Sequence, residues 1–504
     1  MKIILYLIFS ISILFCDIQK NTITIAIENE EERLNPVFSE DHDSAISLIF
    51  TGLLRYEDAK IVPDLAKSYH ISDDGLCYEF ELRDDVTWHD GAHFSADDVK
   101  FTIDTLKDER LNSSIKTNYN AISKVKIINK YKIKIILNTP YPALLDALTI
   151  GILPKHILEN KDINTSDFNK SPIGTGPFKL KKWIKGQYKI LKANKNFYLG
   201  EVKSDTLILK IIKDNAKSVL ELKNDNLDAA LISFDFIQNF KNNNNFNILI
   251  GKAVDYRALM FNMQNPILND INVRLALNYA IDKKAIIQKI LNNLGEIAHH
   301  PLQRTWADPI IYNKFEYNPQ KTQELLYKAG YTKNKNGKYE KNGKLLSFDI
   351  YTFNSDYTRV MLVNYLVSEF NKLGISARGF AKTEGSFDYT KVDSFLVGWG
   401  SFSDPDFHTF KVFGSIENDF NFGHFKDKIV NENLLKARQS NFIKDRKQYY
   451  ANFINALYNN PPFLFLVYLD YALVYNKNLK NVKINILGHH GIGFAYDAWK
   501  WSKE

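Results

Sequence analysis

Two adjacent histidines near the C-terminus are the residues of this sequence best placed to bind a metal ion. His489 and His490 stand in the stretch NILGHHGIGFAY, between Gly488 and Gly491. Imidazole nitrogens in a glycine-lined loop can bind a metal ion. The same pair could also be polar residues near a chain end. The choice depends on the protein that surrounds them.

Two other pairs of residues have a spacing that suits metal chelation or acid–base catalysis. His89 and His93 in HDGAH would form a chelating pair on a helix, but Gly91 between them favours a turn. Asp404 and Asp406 in SDPDF could act as an acid–base pair, although this stretch also suits a turn. The sequence has no phosphate-binding loop, nucleophile elbow or dinucleotide-binding glycine motif. No motif of the sequence therefore supports an enzyme.

The composition is that of a globular protein with a large core. The chain has 504 residues, of which 45% are hydrophobic and 24% charged, and this length suits two or three domains. Its formal charge of +7 is spread along the chain without a basic block, so nucleic acid binding has little support. Cys16 and Cys77 are the two cysteines, too few for a disulfide framework within the mature chain.

The first residues predict export. MKIILYLIFSISILFC (1–16) has one basic residue near its start and then an apolar run too short to span a bilayer, as in a signal peptide. We therefore expect a periplasmic mature protein. Cys16 is a candidate for a lipid anchor, although Phe15 is unfavourable where a small residue is preferred.

Strand and helix patterns alternate along the chain. NTITIAI (21–27) reads as a strand, and residues 125–138 alternate as half-buried strands do. SADDVKFTIDTL predicts a helix with Ser95 as its N-cap, and Gly330 stands where a helix end favours a left-handed residue. These patterns predict a mixed α/β architecture.

Four stretches, in the expected order, resemble motifs of the extracytoplasmic solute-binding proteins of family 5, which serve ABC importers of peptides and nickel. The stretches are VPDLAKSYHISDDGLCYEFELRDDVTWHDGAHFSADDVKFT (62–102), SPIGTGPFKL (171–180), DINVRLALNYAIDK (270–283) and YNPQKTQELLYKAGY (317–331). The resemblance extends over nearly the whole mature chain. It implies a binding protein, without catalysis, that works as a monomer with the membrane subunits of an ABC permease.

The resemblance also implies the domain organisation. After a signal peptide at 1–16, we expect a two-lobed periplasmic-binding-protein fold that closes on its ligand like a clamshell. Lobe one would comprise 17–260 with a subdomain inserted at about 62–172. Lobe two would comprise 261–477, and 478–504 would return to lobe one.

The loop after Trp399 bears on the ligand. Peptide-binding relatives carry an aspartate three residues after the tryptophan of G-W-x-x-D-x-x-D/E-P, and it holds the free ammonium group of the peptide, a charge that is costly to bury unpaired. This chain has Phe402 at that position and a loop to Pro405 that is one residue shorter. The spacing resembles the nickel-binding branch, although Ser401 or Asp404 could replace the aspartate.

Arg359, in SDYTRVML, lies where dipeptide-binding relatives place an arginine for the C-terminal carboxylate. A guanidinium group can clamp a carboxylate through two hydrogen bonds. A small chelator such as free histidine around a nickel ion also carries a carboxylate, so Arg359 suits both ligands. The residue could also be an ordinary surface arginine at a helix start.

The nickel branch implies that the ion arrives with a small chelator and that the protein adds imidazoles. His489 and His490 are candidates, and so is His42, in the loop after the first strand. No resident cofactor is implied.

Aromatic residues would form the walls of the ligand site. Trp399, Tyr256 and Phe402 are the candidates, and Arg257 would add a charge near them. Trp399 could equally be packed in the core at a strand end.

The resulting hypothesis is a periplasmic solute-binding protein that captures nickel, as a complex such as nickel–histidine, and delivers it to a permease. The alternative is a dipeptide- or oligopeptide-binding protein of an ABC importer.

Overall fold

The computed structural model describes residues 21–39, 44–312, 314–400, 403–416 and 420–504. They fold into two compact units. Unit 1 contains the described residues of Met1–Gly251, Tyr471–Ile486 and Gly491–Glu504, and unit 2 contains those of Lys252–Asp470 and Leu487–His490. Both units combine a sheet with helices, so the predicted α/β architecture is confirmed.

The strands of unit 1 come mostly in consecutive runs, and helices separate one run from the next. Its strands are β1 (Thr22–Ile27), β2 (Leu54–Glu57), β3 (Lys60–Pro63), β4 (Ala66–Ile71), β5 (Cys77–Leu82), β6 (Ile122–Asn129), β7 (Lys132–Leu137), β8 (Phe178–Ile184), β9 (Tyr188–Ala193), β10 (Thr206–Ile211) and β11 (Ala229–Ile232), with the C-terminal pair β21 (Leu479–Lys480) and β22 (Ser502–Lys503). Its helices are α1 (Ser44–Ile49), α2 (Ala96–Lys107), α3 (Leu144–Ala147), α4 (Lys155–Leu158) and α5 (Asn215–Lys223).

The main sheet of unit 1 is built around β1. This strand pairs in parallel with β10 on one side and with β11 on the other, and β10 continues through the antiparallel strands β9 and β8. Four of its six residues are buried, among them Ile23, Ile25 and Ile27, as is typical of a strand in a parallel part of a sheet.

A second sheet lies within the segment 62–172, which the sequence predicts to be an inserted subdomain. Its strand order is β4–β5–β7–β6. Strands β6 and β7 form a hairpin, which explains the alternating pattern of residues 125–138. Ser95 is the N-cap of helix α2, as predicted. Its backbone N–H donates to the Asp98 side chain in a reciprocal capping box.

Unit 2 is richer in helix. Its helices are α6 (Ile271–Tyr279), α7 (Lys283–Lys289), α8 (Pro319–Lys328), α9 (Tyr357–Leu373), α10 (Asp406–Phe413), α11 (Lys428–Gln439) and α12 (Ile443–Asn459). Its strands are β13 (Glu296–Ile297), β14 (Thr332–Lys333), β15 (Tyr339–Lys341), β16 (Lys344–Leu345), β17 (Ser347–Phe353), β18 (Ser376–Lys382) and β19 (Ser394–Trp399), with parts of two long strands shared with unit 1, β12 (Phe246–Phe261) and β20 (Phe463–Asn476). Gly330 follows α8 with a φ of 87°, as predicted.

The sheet of unit 2 has the order β18–β17–β19–β12–β20. Helix α9 packs on β17 and β18, where Phe370 contacts Phe348. On the face that carries Tyr256, the sheet packs with residues of α10, α11 and α12 in the main hydrophobic core of the unit. Side chains alternate between the two faces of a strand, so neighbouring residues of β12 enter different environments.

The unit boundaries differ from the predicted lobes. Unit 2 begins at Lys252 rather than at residue 261, and its main segment ends at Asp470 rather than at 477. The segment Leu487–His490, predicted with lobe one, groups with unit 2, because Leu487 pairs with Ala253 of β12. The signal-peptide residues lie outside the described part of the chain. Within that part, no helix is long and apolar enough to cross a membrane.

Candidate metal-binding site

The histidine pair is held beside strand β12 by backbone hydrogen bonds. The N–H of Leu487 donates to the carbonyl of Lys252, and the N–H of Val254 donates to the carbonyl of Leu487, both at 2.9 Å. This short parallel pairing places His489 and His490 next to Asp255 of the strand.

Asp255 contacts both histidines. Nδ1 of His489 lies 2.7 Å from Oδ1 of Asp255, and the backbone N–H of His490 donates to Oδ2 at 3.1 Å. His490 has a left-handed backbone with a φ of 55°, and the two imidazole rings lie 4.0 Å apart between centroids. The carboxylate therefore fixes the turn that carries the two rings.

Arg257 follows Asp255 on the same face of β12. Its guanidinium group forms an ion pair with Asp255 and a second one, at 3.3 Å, with Oδ2 of Asp356. The Arg257 side chain is only 2% exposed, and the Asp255 side chain is fully buried. A buried charge is tolerated when it is paired in this way.

Helix α9 brings the remaining charges. Asp356 is its N-cap and accepts a hydrogen bond from the backbone N–H of Arg359 at 3.0 Å. Nε of Arg359 also lies 2.9 Å from Oδ2 of Asp356. The helix start therefore places the Arg359 and Arg257 guanidinium groups on one carboxylate.

Gly398 of β19 is the point on which these groups converge. It pairs with Arg257 across the sheet. A Cβ atom at Gly398 would lie 2.5 Å from Nη1 of Arg257, 2.8 Å from Nη2 of Arg359 and 2.8 Å from Cε1 of His489. Real Cβ atoms do not make such close contacts, so an added side chain here would displace the ends of these three side chains.

The electrostatics favour ionised carboxylates and neutral imidazoles. Burial raises the pKa of the Asp255 carboxyl, but the Arg257 and His489 side chains lower it more, so this pKa lies well below its usual range. The pKa of Asp356 is lowered as well, because Arg257 and Arg359 outweigh burial. Burial lowers the pKa of His489 against the effect of Asp255, and the neighbouring His489 and burial hold the pKa of His490 well below its usual value.

A neutral imidazole is the form that binds a metal ion. Since the Asp255 carboxylate accepts at Nδ1 of His489, the lone pair of that ring lies on Nε2. A carboxylate that accepts from the other ring nitrogen in this way orients many metal-binding histidines. The adjacent guanidinium groups suit an anionic group such as a carboxylate. Within the described residues, no three His, Cys, Asp or Glu side chains form a cluster that could hold a metal ion.

Tyr256, predicted as an aromatic wall, lies instead in the hydrophobic core. It is fully buried, and its ring packs against Phe465 and Tyr468. The reason is strand alternation, which sends Tyr256 to the face opposite Asp255 and Arg257. Trp399 is partly buried beside the rings of Phe420 and Phe422 at the end of β19, and its contact with a ligand stays a prediction.

The remaining predicted residues are outside the described part of the chain or elsewhere in the fold. His42, Phe402 and Ser401 lie outside the described residues. The structure brings together His489, His490, Arg257 and Arg359. Sequence reasoning missed Asp255, Asp356 and Gly398 as parts of the cluster. The N-cap position of Asp356 before a helix was a signal for one of them.

The His89 and Asp404 regions, which the sequence offers as a chelating pair and an acid–base pair, have structural roles. Gly91 has a φ of 95° and lies in a turn, as predicted, and the ring of His89 bridges the backbone of Gly174 and Gly176. Asp404 forms a buried ion pair with Arg446.

Asp406 is likewise held by an arginine, Arg438. Both members of the predicted acid–base pair are therefore occupied by structural ion pairs.

Comparison with known proteins identifies the family. Residues 60–420 match the bacterial extracellular solute-binding proteins, family 5, middle region. The chain belongs to this family. The solute-binding proteins to which it is similar have the two-lobed α/β fold of periplasmic binding proteins, so the predicted fold class is confirmed. The family and these neighbours are binding proteins, not enzymes.

Three relatives show the range of ligands among similar solute-binding proteins. NikZ from Campylobacter jejuni, solved in complex with Ni(L-His), is 53% identical with a TM-score of 0.91, over 96% of this chain and 100% of that chain. AppA from Bacillus subtilis, solved with a nonapeptide, is 25% identical with a TM-score of 0.83, over 96% and 99% of the two chains. The nickel-binding periplasmic protein of Escherichia coli K12 is 24% identical over 474 residues, which cover 89% of each chain.

Proposed function

We propose that this solute-binding protein captures Ni²⁺ as a complex with a small chelator such as L-histidine and delivers it to the membrane subunits of an ABC importer. The observation that carries the proposal is the convergence of His489 and Arg359 over Gly398, with Asp255 behind the histidine. The similarity to NikZ, solved with Ni(L-His), supports the same ligand class.

The nickel ion is the transported substrate in this proposal. His489 would contribute Nε2 as a ligand, and His490 and His42 are the further candidate imidazoles. Ni²⁺ accepts mixed nitrogen and oxygen donors, which the amine, imidazole and carboxylate of a histidine chelator supply. Arg359 would bind the chelator's carboxylate, and Trp399 and Phe402 would line the site.

Peptide binding is the second candidate function, because Arg359 could hold a C-terminal carboxylate. The similarity to AppA, solved with a nonapeptide, favours this alternative. The imidazole pair and its buried carboxylate have no evident task in peptide binding. We therefore favour nickel.

The cellular setting follows from the same proposal. Residues 1–16 would act as a signal peptide, so that the mature protein works as a periplasmic monomer. Lipid attachment is the alternative, in which Cys16 would stay as the first residue of the mature chain. The inserted subdomain at about 62–172 and the return of the C-terminal segment to lobe one belong to this proposal as well.

Calorimetric titration tests the proposal. The mature protein is titrated with Ni²⁺ alone, with Ni²⁺ and excess L-histidine, and with a mixture of dipeptides. We expect tight binding that depends on L-histidine and weakens at least tenfold, about 1.4 kcal/mol, in His489→Ala. His156→Ala is the control, because His156 is a half-exposed histidine paired with Asp90 in unit 1. Heat from dipeptides but none from nickel would favour the alternative.

A further inference from the structure

We propose that Asp255 is a positioning residue, which holds His489 in the tautomer and orientation that present Nε2 to the nickel ion. The inference rests on the proposed function, because it assigns a task within the same site. Asp255 does not itself face the ligand, since its side chain is fully buried behind the histidine pair.

The first argument is the set of donors around the carboxylate. Oδ1 receives the guanidinium group of Arg257 and also contacts Nδ1 of His489, whereas Oδ2 accepts the backbone N–H of His490. A carboxylate paired with a guanidinium group acts as an acceptor. Nδ1 of His489 must therefore carry the hydrogen, and Nε2 must carry the lone pair that a metal ion needs.

The second argument is the geometry of the turn. The hydrogen bond from the N–H of His490 to Oδ2 fixes the residue next to His489, and this residue adopts a left-handed backbone with a φ of 55°. Such a conformation is unfavourable for a residue other than glycine and is kept where surrounding contacts determine it. One side chain thus sets both the tautomer of His489 and the backbone that carries the pair.

The third argument is the link to the chelator side of the site. Arg257 contacts Asp255 and Asp356, and Asp356 contacts Arg359. Buried charge networks keep their geometry because each member satisfies another. Asp255 therefore joins the metal-binding imidazole to the arginine that would hold the chelator's carboxylate.

The experiment compares Asp255→Asn with the unchanged protein. An asparagine amide has a single acceptor oxygen, so it cannot accept from Arg257, His489 and the N–H of His490 together. Either the tautomer of His489 reverses or the turn loses its hydrogen bond. We expect affinity for Ni²⁺ with L-histidine to fall at least tenfold. Asp228→Asn is the control, because Asp228 is a buried aspartate of unit 1 that accepts from Thr24 and pairs with Lys503.

A second measurement needs no variant. Two-bond proton–nitrogen correlation spectra of the ligand-free protein report which ring nitrogen of His489 carries the hydrogen. The inference predicts a protonated Nδ1. A protonated Nε2, or an Asp255→Asn protein that binds with unchanged affinity, would overturn it. If the unchanged protein binds no nickel in any condition, the proposed function fails, whereas the spectra still reveal whether Asp255 sets the tautomer.

Discussion

The Cβ atom that Gly398 lacks would lie 2.8 Å from Cε1 of His489. Gly398 is on strand β19, whereas His489 follows the short pairing of Leu487 with Ala253. Gly398 and His489 therefore lie close together in space although they are distant in sequence. A larger residue than glycine at position 398 would therefore displace His489 from its present position.

We expect Gly398→Ala to lower the affinity for the ligand and to have a smaller effect on the free energy of unfolding. The added methyl group would displace His489 and the guanidinium groups of Arg257 and Arg359. We expect affinity for Ni²⁺ with L-histidine to fall at least tenfold, about 1.4 kcal/mol, in calorimetric titrations. Gly379→Ala is the matched control, because a Cβ there meets side chains of Val363 and Val367 outside the cluster. Equal affinity in the two variants would contradict the steric role.

Arg359 should contribute to the affinity for nickel with L-histidine, and not to the affinity for nickel alone. Arg359→Ala removes a guanidinium group suited to a carboxylate, so we expect the gain in nickel affinity from L-histidine to shrink about tenfold, or 1.4 kcal/mol. Arg378→Ala, at an exposed arginine that pairs with Asp349, serves as the control. The measurement is titration with Ni²⁺ in the presence and absence of L-histidine. An unchanged gain would show that Arg359 does not contact the chelator.

Tyr256→Phe tests the placement of this residue in the core. Its hydroxyl group is buried and has no hydrogen-bond partner among the described residues. Removing a polar group that lacks a partner is neutral or stabilising, by up to about 1–3 kcal/mol. We expect unchanged nickel affinity and an equal or higher free energy of unfolding in chemical denaturation. A loss of affinity would restore Tyr256 as a wall of the ligand site.

The buried Asp64 should make the stability of the protein depend on pH. Burial raises the pKa of its carboxyl to about 6, despite a hydrogen bond from Tyr198 that lowers it. The folded state then binds more protons than the unfolded state between pH of about 4 and about 6. The stabilisation is complete below about pH 4 and is lost as pH rises through about 6, by about 3 kcal/mol.

Asp64→Asn should remove this dependence, because the amide keeps an acceptor for the Tyr198 hydroxyl and does not titrate. Denaturant unfolding from about pH 4.5 to about pH 7.5 compares the variant with Asp73→Asn, at an exposed aspartate. A slope that persists in Asp64→Asn would assign the pH dependence to other groups.

Local patterns of the sequence predicted local structure well. Ser95 caps a helix and Gly330 ends one, because these features depend on a few neighbouring residues. The GHHG loop indicates a metal site, and the resemblance to the family indicates Arg359 as a residue that binds a carboxylate.

The supporting residues could not be predicted in the same way. Asp255 lies 234 residues before His489, and no periodic pattern connects them. The space at Gly398 matters because three side chains from distant segments converge on it. The aromatic type of Tyr256 suits a ligand wall as well as a core, and only strand alternation in the structure sends it to the core.

The most direct test of nickel capture by His489 is a crystal structure of the mature protein grown with Ni²⁺ and L-histidine, with anomalous diffraction measured at the nickel absorption edge. The account predicts one strong anomalous peak bonded to Nε2 of His489, with a histidine molecule around the ion and its carboxylate on Arg359. A nickel peak away from His489, or none at all while a peptide occupies the site, would contradict it.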